Sequence, residues 1–300
     1  MRALVTGGAG FIGSHVVDAL LARGDEVTVV DNFATGKREN IRAETTLAEH
    51  DIREGLAGVF TDARPETVFH LAAQADVRVS VARPDFDAEV NALGTIQVLE
   101  AAREHGAHVV FSYTGGAIYG ECTAPAPETS DLKPLSPFGA SKLAAEEYLR
   151  MYNRLYETGH VALRYGNVYG PRQDPHGEAG VVAIFFNRLA AGEAPRIFGD
   201  GSQTRDYVFV GDVVAATLAA ADRRGGVFNV GTSRETSVVE LFERCRAVSG
   251  VDVEPEFAPA RLGELERSVL DISLAGDELG WRPASTLDEG LTATWNWVRS

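Results

Sequence analysis

The sequence predicts an α/β protein in which a doubly wound parallel sheet is joined to a second, smaller α/β lobe. Through the first half of the 300 residues, short runs rich in β-branched residues alternate with helical patterns, as expected when crossover helices join parallel strands. A glycine-rich stretch, TGGAGFIG, stands between the first strand and the first helix. Beyond Gly166 the elements become shorter and the loops carry Pro, Gly and Asp, which indicates the second lobe.

In the first lobe, strands and helices can be placed in order. The predicted strands are RALVTG, EVTVVD, ETVFHLA, HVVFSY and HVALRYG, and a weaker strand near TTLAEHD would complete a sheet of six. FIGSHVVDALLARG and DFDAEVNALGTIQVLEAAREHG carry apolar residues at helical spacing and end on Gly24 and Gly106, so both are predicted helices. A third helix is predicted from Ser136 to Thr158.

In the second half, helices are predicted at GVVAIFFNRLAAG, VGDVVAATLAAADRR, SVVELFERCRAVSG, SLAGDELG and TLDEGLTATWNWV. The short strands DYVFV and GVFNVG are expected to return toward the first lobe. Residues 1–166 with about 206–232 should therefore form the first domain, and about 167–205 with 233–300 the substrate-binding lobe.

Composition and charge argue against several classes of protein. The net charge of −15 argues against nucleic acid as a partner, because binding a phosphate backbone needs a concentrated basic surface. The start MRALVTGGAG resembles a strand rather than a signal peptide, and no apolar run is long enough to span a membrane, so a cytoplasmic protein is predicted. Cys122 and Cys245 are far apart and have no histidine cluster near them, which suggests neither a disulfide framework nor a metal site.

The glycine-rich stretch predicts a dinucleotide site in the first domain. Gly7, Gly10 and Gly13 fall between a strand and a helix, where they permit a tight turn and close approach of a pyrophosphate to the helix N-terminus. Asp31 ends the next strand, where a carboxylate can accept hydrogen bonds from the ribose hydroxyls and would repel a 2′-phosphate. The first domain is therefore predicted to be a Rossmann domain that binds NAD rather than NADP.

Further motifs make the chain resemble the extended short-chain dehydrogenase/reductase family along essentially its whole length. These motifs are the glycine-rich turn, HDI at 50–52, HLAA at 70–73, TGGAIYG at 114–120 and the helix of Lys142. LRYGNVYGPRQDP, GDGSQTRDYVFVGDV and FNVGT are most similar to the nucleotide-sugar epimerases of that family. The resemblance implies 4-epimerisation of a UDP-hexose, UDP-glucose or UDP-galactose, with NAD as cofactor and a 4-keto intermediate.

The resemblance also implies roles for particular residues on the cofactor side. Asp51 and Ile52 would border the adenine, Asn91 would lie near the nicotinamide, and Lys142 would hydrogen-bond the nicotinamide ribose. Together with the glycines and Asp31, the cofactor-binding residues implied are Phe11, Ile12, Asn32, Asp51, Ile52, Leu71, Ala72, Ala73, Asn91, Lys142 and Tyr165.

On the substrate side, the resemblance places Thr114 at the sugar's 4-hydroxyl. Gly115 and Gly116 follow it where dehydratases and decarboxylases of the family carry acidic residues, which favours simple oxidation and reduction at one carbon. The substrate-binding residues implied are Thr114, Asn167, Arg205, Arg261 and Ser268. The role of Arg172 stays open, and no metal is implied.

The sequence departs from the family at the catalytic tyrosine, which is Phe138 here. The catalytic residues implied are thus Thr114, Lys142 and the position of Phe138, whose ring has no proton to transfer. Three interpretations remain: an epimerase impaired by this residue, an enzyme that uses another base, or a non-catalytic protein that binds NAD and a nucleotide sugar. We favour the first, because the other site motifs are intact. Tyr113 could supply a phenol, but strand alternation would direct it away from the side that Thr114 faces.

Two further expectations concern the choice of substrate and the oligomeric state. UDP-N-acetylhexosamines are allowed by the small Ser268, and UDP-glucuronate is the rival substrate if Arg172 or Arg267 turns inward. The family implies a homodimer built from the helices at 87–105 and 141–158, and an apolar stripe is available for it. That stripe consists of Ala144, Ala145, Tyr148, Leu149 and Tyr152.

Overall fold

A computed structural model describes residues 1–176, 180–260 and 265–300. Its centre is a seven-stranded sheet in which every pair of neighbours is parallel. The sheet strands are β1 (Arg2–Thr6), β2 (Glu26–Asp31), β3 (Thr46–Glu49), β4 (Thr67–His70), β5 (His108–Thr114), β6 (Val161–Tyr165) and β11 (Val227–Val230), in the order β11-β6-β5-β4-β1-β2-β3. The predicted doubly wound α/β fold is confirmed, including the weak strand β3, and β11 adds a seventh strand.

The helices of the first lobe flank this sheet. They are α1 (Phe11–Ala22), α2 (Ala57–Ala63), α3 (Val77–Ala82), α4 (Pro84–Ala88), α5 (Gly94–His105), α6 (Pro137–Tyr156) and α8 (Val210–Ala220). The single helix predicted before Gly106 is in fact interrupted, because Glu89–Leu93 form a π-helical turn between α4 and α5. Gly106 ends α5 in the left-handed conformation, as its position in the sequence predicts.

Shorter elements form the second lobe. Its helices are α7 (Val181–Ala190), α9 (Val238–Ser249) and α11 (Leu287–Val298), whereas α10 (Ser273–Glu278) packs against β11 of the large sheet. Its strands are β7 (Asn167–Tyr169), β8 (Arg196–Phe198), β9 (Thr204–Arg205), β10 (Tyr207–Phe209), β12 (Thr236–Ser237), β13 (Glu256–Ala258) and β14 (Arg267–Ser268), which pair in small separate sheets. The predicted strand DYVFV is β10, and it pairs with β7 instead of joining the seven-stranded sheet. The predicted strand GVFNVG does join that sheet, as β11 beside β6.

Two clusters of buried apolar side chains lie in the described residues. The larger one surrounds the seven-stranded sheet, and the smaller one joins α7, α9 and α11. Leu270, Ile272, Ala275 and Trp281 belong to the larger cluster, although the sequence places them in the substrate lobe. The indole N–H of Trp281 donates to the backbone oxygen of Asp212 in α8, 3.0 Å away, which attaches this segment to the first lobe.

Within the described ranges, no helix has the length and apolar character needed to cross a membrane. In the parallel sheet, the carboxyl ends of all strands meet at one edge, and ligands of such sheets bind outside that edge. The ends of β1, β4, β5 and β6 therefore define where the functional site is to be sought.

Candidate active site

A cavity of about 990 Å³ runs from the glycine-rich turn, along the carboxyl ends of the strands, to the second lobe. Most residues singled out in the sequence line it. These are Gly7, Gly10, Phe11, Ile12, Gly13, Asp31, Asn32, Asp51, Ile52, Leu71, Ala72, Ala73, Thr114, Phe138, Lys142, Tyr165, Asn167 and Arg205. The wall thus combines side chains from elements that are distant in sequence.

The glycine turn forms a close-fitting cradle at one end of the cavity. Gly7 has a φ of +72°, and a Cβ there would lie 2.7 Å from the backbone nitrogen of Ala72. A Cβ on Gly13 would lie 2.1 Å from the carbonyl oxygen of Gly7. Gly10 precedes α1 and offers no side-chain cap, so the first N–H groups of the helix remain available to an anion. These features fit the pyrophosphate of a dinucleotide.

Asp31 fixes this turn to the end of β2. Its carboxylate accepts hydrogen bonds from the backbone nitrogens of Ala9, at 2.9 Å, and Phe33, at 2.8 Å. Asp51, further along the wall, accepts from Asn32 at 2.9 Å and from Arg53 at 2.9 Å. The hydrogen bond from Arg53 holds the pKa of Asp51 well below its usual range, so this carboxylate stays ionised at neutral pH. Such carboxylates suit the hydroxyls of a nucleoside and would repel an added phosphate.

Helix α6 brings Phe138 and Lys142 to the wall. Ser136 caps the helix by accepting from the backbone nitrogen of Gly139, at 3.2 Å, so Phe138 lies in its first turn. Lys142 follows one turn later and is 1% exposed, with Nζ 4.6 Å from the centre of the Phe111 ring. Burial lowers the pKa of Lys142 to about 7. This wall therefore has an amine that can change its protonation state near neutral pH, and no phenol at position 138.

Tyr113 also lines the cavity, but its hydroxyl is engaged in a hydrogen bond. Its hydroxyl accepts a hydrogen bond from Nε of Arg164, 2.8 Å away, and Arg164 is fully buried beside Glu146 of α6. The same Nε also donates to Glu146 at 2.9 Å. The Tyr113 hydroxyl thus belongs to a buried charged cluster, in keeping with strand alternation.

Three residues predicted to bind the sugar meet around Gly116. A Cβ built on Gly116 would lie 3.8 Å from Oγ1 of Thr114, 3.4 Å from Oδ1 of Asn167 and 3.5 Å from Oγ of Ser268. Of these three polar groups, Thr114 and Asn167 also line the cavity, where they can hydrogen-bond a hydroxyl of a sugar.

Some predicted residues lie elsewhere. Asn91 is buried behind the wall, where its Oδ1 accepts from the backbone nitrogen of Gln74 at 3.0 Å and its amide donates to Asp87 at 3.1 Å. It can therefore act on the cofactor side only through Gln74 and its neighbours. Ser268 lies beside Gly116 but is not itself part of the cavity wall. Arg261 falls outside the described residues.

The structure also adds residues that the sequence analysis missed. Arg188 of α7 and Arg196 of β8 also line the cavity. Arg188 pairs with Glu193, and Arg196 lies 3.5 Å from Glu256. No local pattern marks these arginines, because they reach the cavity only through the packing of the second lobe.

Comparison with known proteins agrees with this arrangement. Residues 3–231 match the NAD dependent epimerase/dehydratase family, a stretch that includes the glycine turn, Asp31, Lys142 and Arg205. The chain belongs to this family. A UDP-glucose 4-epimerase of Mycolicibacterium smegmatis is 49% identical to this chain, and the match covers all of this chain and 99% of the relative.

Solved structures of family members superpose over the whole chain. A UDP-glucose 4-epimerase of Thermotoga maritima with UDP-glucose is 48% identical and has a TM-score of 0.97, covering 100% of this chain and 99% of its own. A UDP-glucose 4-epimerase of Thermus thermophilus in complex with NAD is also 48% identical, has a TM-score of 0.95 and covers the same shares of both chains.

Proposed function

We propose that this chain is an NAD-dependent epimerase that interconverts UDP-glucose and UDP-galactose at C4, and that Phe138 slows it. The observation that carries the proposal is the single cavity that joins the glycine turn to the polar cluster around Gly116. Its wall contains both residues implied for the cofactor and residues implied for the nucleotide sugar. The similarity to UDP-glucose 4-epimerases along the whole chain supports the same assignment.

The residues of the cofactor end have distinct tasks. The N-terminal N–H groups of α1 would bind the pyrophosphate, Asp31 would accept from the adenosine ribose, and the Lys142 amine would donate to the nicotinamide ribose. Bound NAD supplies reversible oxidation of the sugar at C4, so that a 4-keto sugar can be reduced on either face. The chain itself must orient the sugar and move the proton of the 4-hydroxyl.

On the substrate side, the Thr114 hydroxyl is placed to hydrogen-bond the sugar's 4-hydroxyl, and Asn167 and Arg205 to hold the nucleotide. The proton of the 4-hydroxyl has to leave as C4 is oxidised. Phe138 stands on the wall where the family carries a tyrosine, and it offers no group that accepts a proton. We therefore infer a slow enzyme with an intact binding site, since a general acid/base typically contributes about 10² to 10⁴-fold in rate.

Restoring the hydroxyl tests this proposal directly. Phe138→Tyr should raise the rate of UDP-galactose conversion by about 10² to 10⁴-fold, because the added oxygen enters the cavity beside Lys142. Tyr113→Phe is the matched control. Added to Phe138→Tyr, it should change the rate by less than about threefold, since the Tyr113 hydroxyl is bound to Arg164. A rate unchanged by Phe138→Tyr in an enzyme that already turns over would show that another group transfers the proton.

Phe138 also favours a second candidate, a protein that binds NAD and UDP-sugars without catalysis. In that case Phe138→Tyr would remain inactive although both ligands bind. Among other substrates, UDP-glucuronate receives less support, because Arg172 lies 2.6 Å from Asp18 and Arg267 lies 2.7 Å from Glu235, both away from the cavity wall. The small Ser268 beside Gly116 keeps UDP-N-acetylhexosamines as an alternative to test by binding.

We propose that the protein is a homodimer joined through α5 and α6. In the predicted stripe, Ala145, Leu149 and Tyr152 pack into the subunit's own core, whereas Tyr148 is 42% exposed. Leu155, which the predicted stripe did not include, is 62% exposed on the same helix. The partner surface therefore consists of these outward-facing residues rather than of the whole stripe.

Leu155→Lys should convert the dimer to a monomer in sedimentation velocity at micromolar concentration. Phe257→Lys, at a residue that is 60% exposed on β13, is the control and should leave the mass unchanged. A monomeric unmodified chain would contradict the proposal.

A further inference from the structure

A buried carboxylate, Asp206, lies between β9 and β10 and is 1% exposed. Its Oδ1 accepts hydrogen bonds from the backbone nitrogen and the hydroxyl of Thr232, at 2.7 and 2.6 Å. Its Oδ2 accepts from the backbone nitrogens of Ser233, at 3.1 Å, and Leu270, at 3.3 Å. Its own carbonyl oxygen accepts from the backbone nitrogen of Asn167 at 2.7 Å. One residue thus binds three segments that are far apart in sequence.

Two glycines allow strands of the large sheet to end against this residue. Gly166 follows β6, and a Cβ there would lie 2.8 Å from the carbonyl oxygen of Asp206. Gly231 follows β11, and a Cβ there would lie 2.5 Å from Oδ2. Asp206 therefore lies where the carboxyl ends of two neighbouring strands of the first lobe meet the second lobe.

The segments held by Asp206 carry the substrate side of the cavity. Arg205 precedes it directly, Asn167 hydrogen-bonds its backbone, and Leu270 lies two residues after Ser268. Ser233 adopts a φ of +56°, a conformation that residues other than glycine seldom adopt unless their surroundings hold them there. None of these bonds reaches the glycine turn or Asp31, which form the cofactor end.

We propose that Asp206 is a positioning residue that holds the nucleotide-sugar side of the cavity in register with the cofactor side. The inference rests on the proposed function, since it assumes that a UDP-sugar binds between Asn167, Arg205 and Gly116. Asp206 itself is not among the residues that line the cavity. It acts through the backbone of Asn167 and through the neighbouring segments, so it positions the substrate end of the cavity and not the cofactor end.

Two substitutions disturb the hydrogen bonds of the Asp206 carboxylate in different ways. Asp206→Asn keeps the shape but turns an N–H₂ group toward backbone N–H donors, which leaves buried donors unpaired. Gly231→Ala keeps every charge and pushes a Cβ against Oδ2. Asp212→Asn is the matched control, because Asp212 is 6% exposed and accepts from the backbone nitrogens of Ala284 and Ser285, at 3.0 and 3.1 Å, away from the cavity.

The measurement is the dissociation constant for UDP-glucose by calorimetry and that for NAD in the same preparations. Asp206→Asn and Gly231→Ala should weaken UDP-glucose binding by about tenfold or more and change NAD binding by less than about twofold. In the Phe138→Tyr background, KM for UDP-galactose should rise by the same factor while kcat changes less. Asp212→Asn should alter neither dissociation constant by more than about twofold, even if it lowers the melting temperature.

Unchanged UDP-glucose affinity in Asp206→Asn would overturn the inference. So would an equal loss of NAD and UDP-glucose affinity, because that pattern indicates general destabilisation. If the unmodified chain bound NAD but no UDP-glucose, the proposed function would fail and this inference with it. If the unmodified chain and both variants bound UDP-glucose equally well, the role of Asp206 would be refuted and the proposed function would stand.

Discussion

Replacing Lys142 by methionine should make the cofactor-free chain more stable. Burial lowers the pKa of Lys142 from 10.5 to about 7, and the nearby Asp87 carboxylate offsets only part of that shift. A difference of about 3.5 pKa units between the unfolded and folded chains corresponds to about 5 kcal/mol. At pH 7, where the folded chain holds about half of this proton, the cost to folding is about 4 kcal/mol. Methionine keeps an unbranched stem of similar size and carries no charge, so it removes that cost.

The dependence on pH distinguishes this effect from a change in packing. Because the unfolded chain keeps the lysine proton up to about pH 10.4, the cost is full below pH 7 and disappears as the pH rises toward the unfolded pKa. Lys142→Met should therefore melt roughly 8 °C above the unmodified chain at pH 7 and only roughly 3 °C above it at pH 9.5.

Thermal unfolding followed by circular dichroism, without added NAD, measures this gap. Lys133→Met is the control, since the Lys133 side chain is 69% exposed and pairs with Asp131 at the surface. This variant should have the same melting temperature as the unmodified chain at both pH values. A Lys142→Met variant that is less stable at pH 7, or a gap that does not change with pH, would refute the reasoning.

Two further predictions concern the sheet and the glycine turn. Burial lowers the pKa of His108 to about 4 and of His160 to about 3, so below pH 6.5 the unfolded chain binds more protons than the folded chain. The free energy of unfolding should be highest above pH 6.5 and fall by about 2 kcal/mol per histidine at pH 5. In His108→Leu, the midpoint of urea unfolding should therefore change less between these two pH values. Gly13→Ala should abolish NAD retention, because the added Cβ would lie 2.1 Å from the Gly7 oxygen, whereas Gly58→Ala, with nothing within 4 Å, should retain it. Equal NAD content in both purified variants would contradict the second prediction.

Features set by local sequence could be predicted closely. The strand, glycine turn and first helix follow from residue types that neighbour one another, so the sequence alone predicts Gly7, Gly13 and Asp31 at the site, and all three line the cavity. The interruption of the helix before Gly106 has no such local signal. Its apolar spacing is that of a continuous helix, and the π-helical turn at Glu89–Leu93 accompanies tertiary contacts of Asn91 with Gln74 and Asp87.

Asp206 shows why the remaining features lie beyond sequence reasoning. In the stretch TRDYVFV it follows Arg205, and an acidic residue next to an arginine suggests a solvent-exposed charge. Its burial depends instead on Gly166 and Gly231, which come from other parts of the chain and leave space for the carboxylate only when β6 and β11 lie side by side. The backbone donors that compensate its charge come from residues far from it in sequence. The burial of Asp206 therefore cannot be predicted from its sequence neighbours, because it depends on contacts that form only where the two lobes meet.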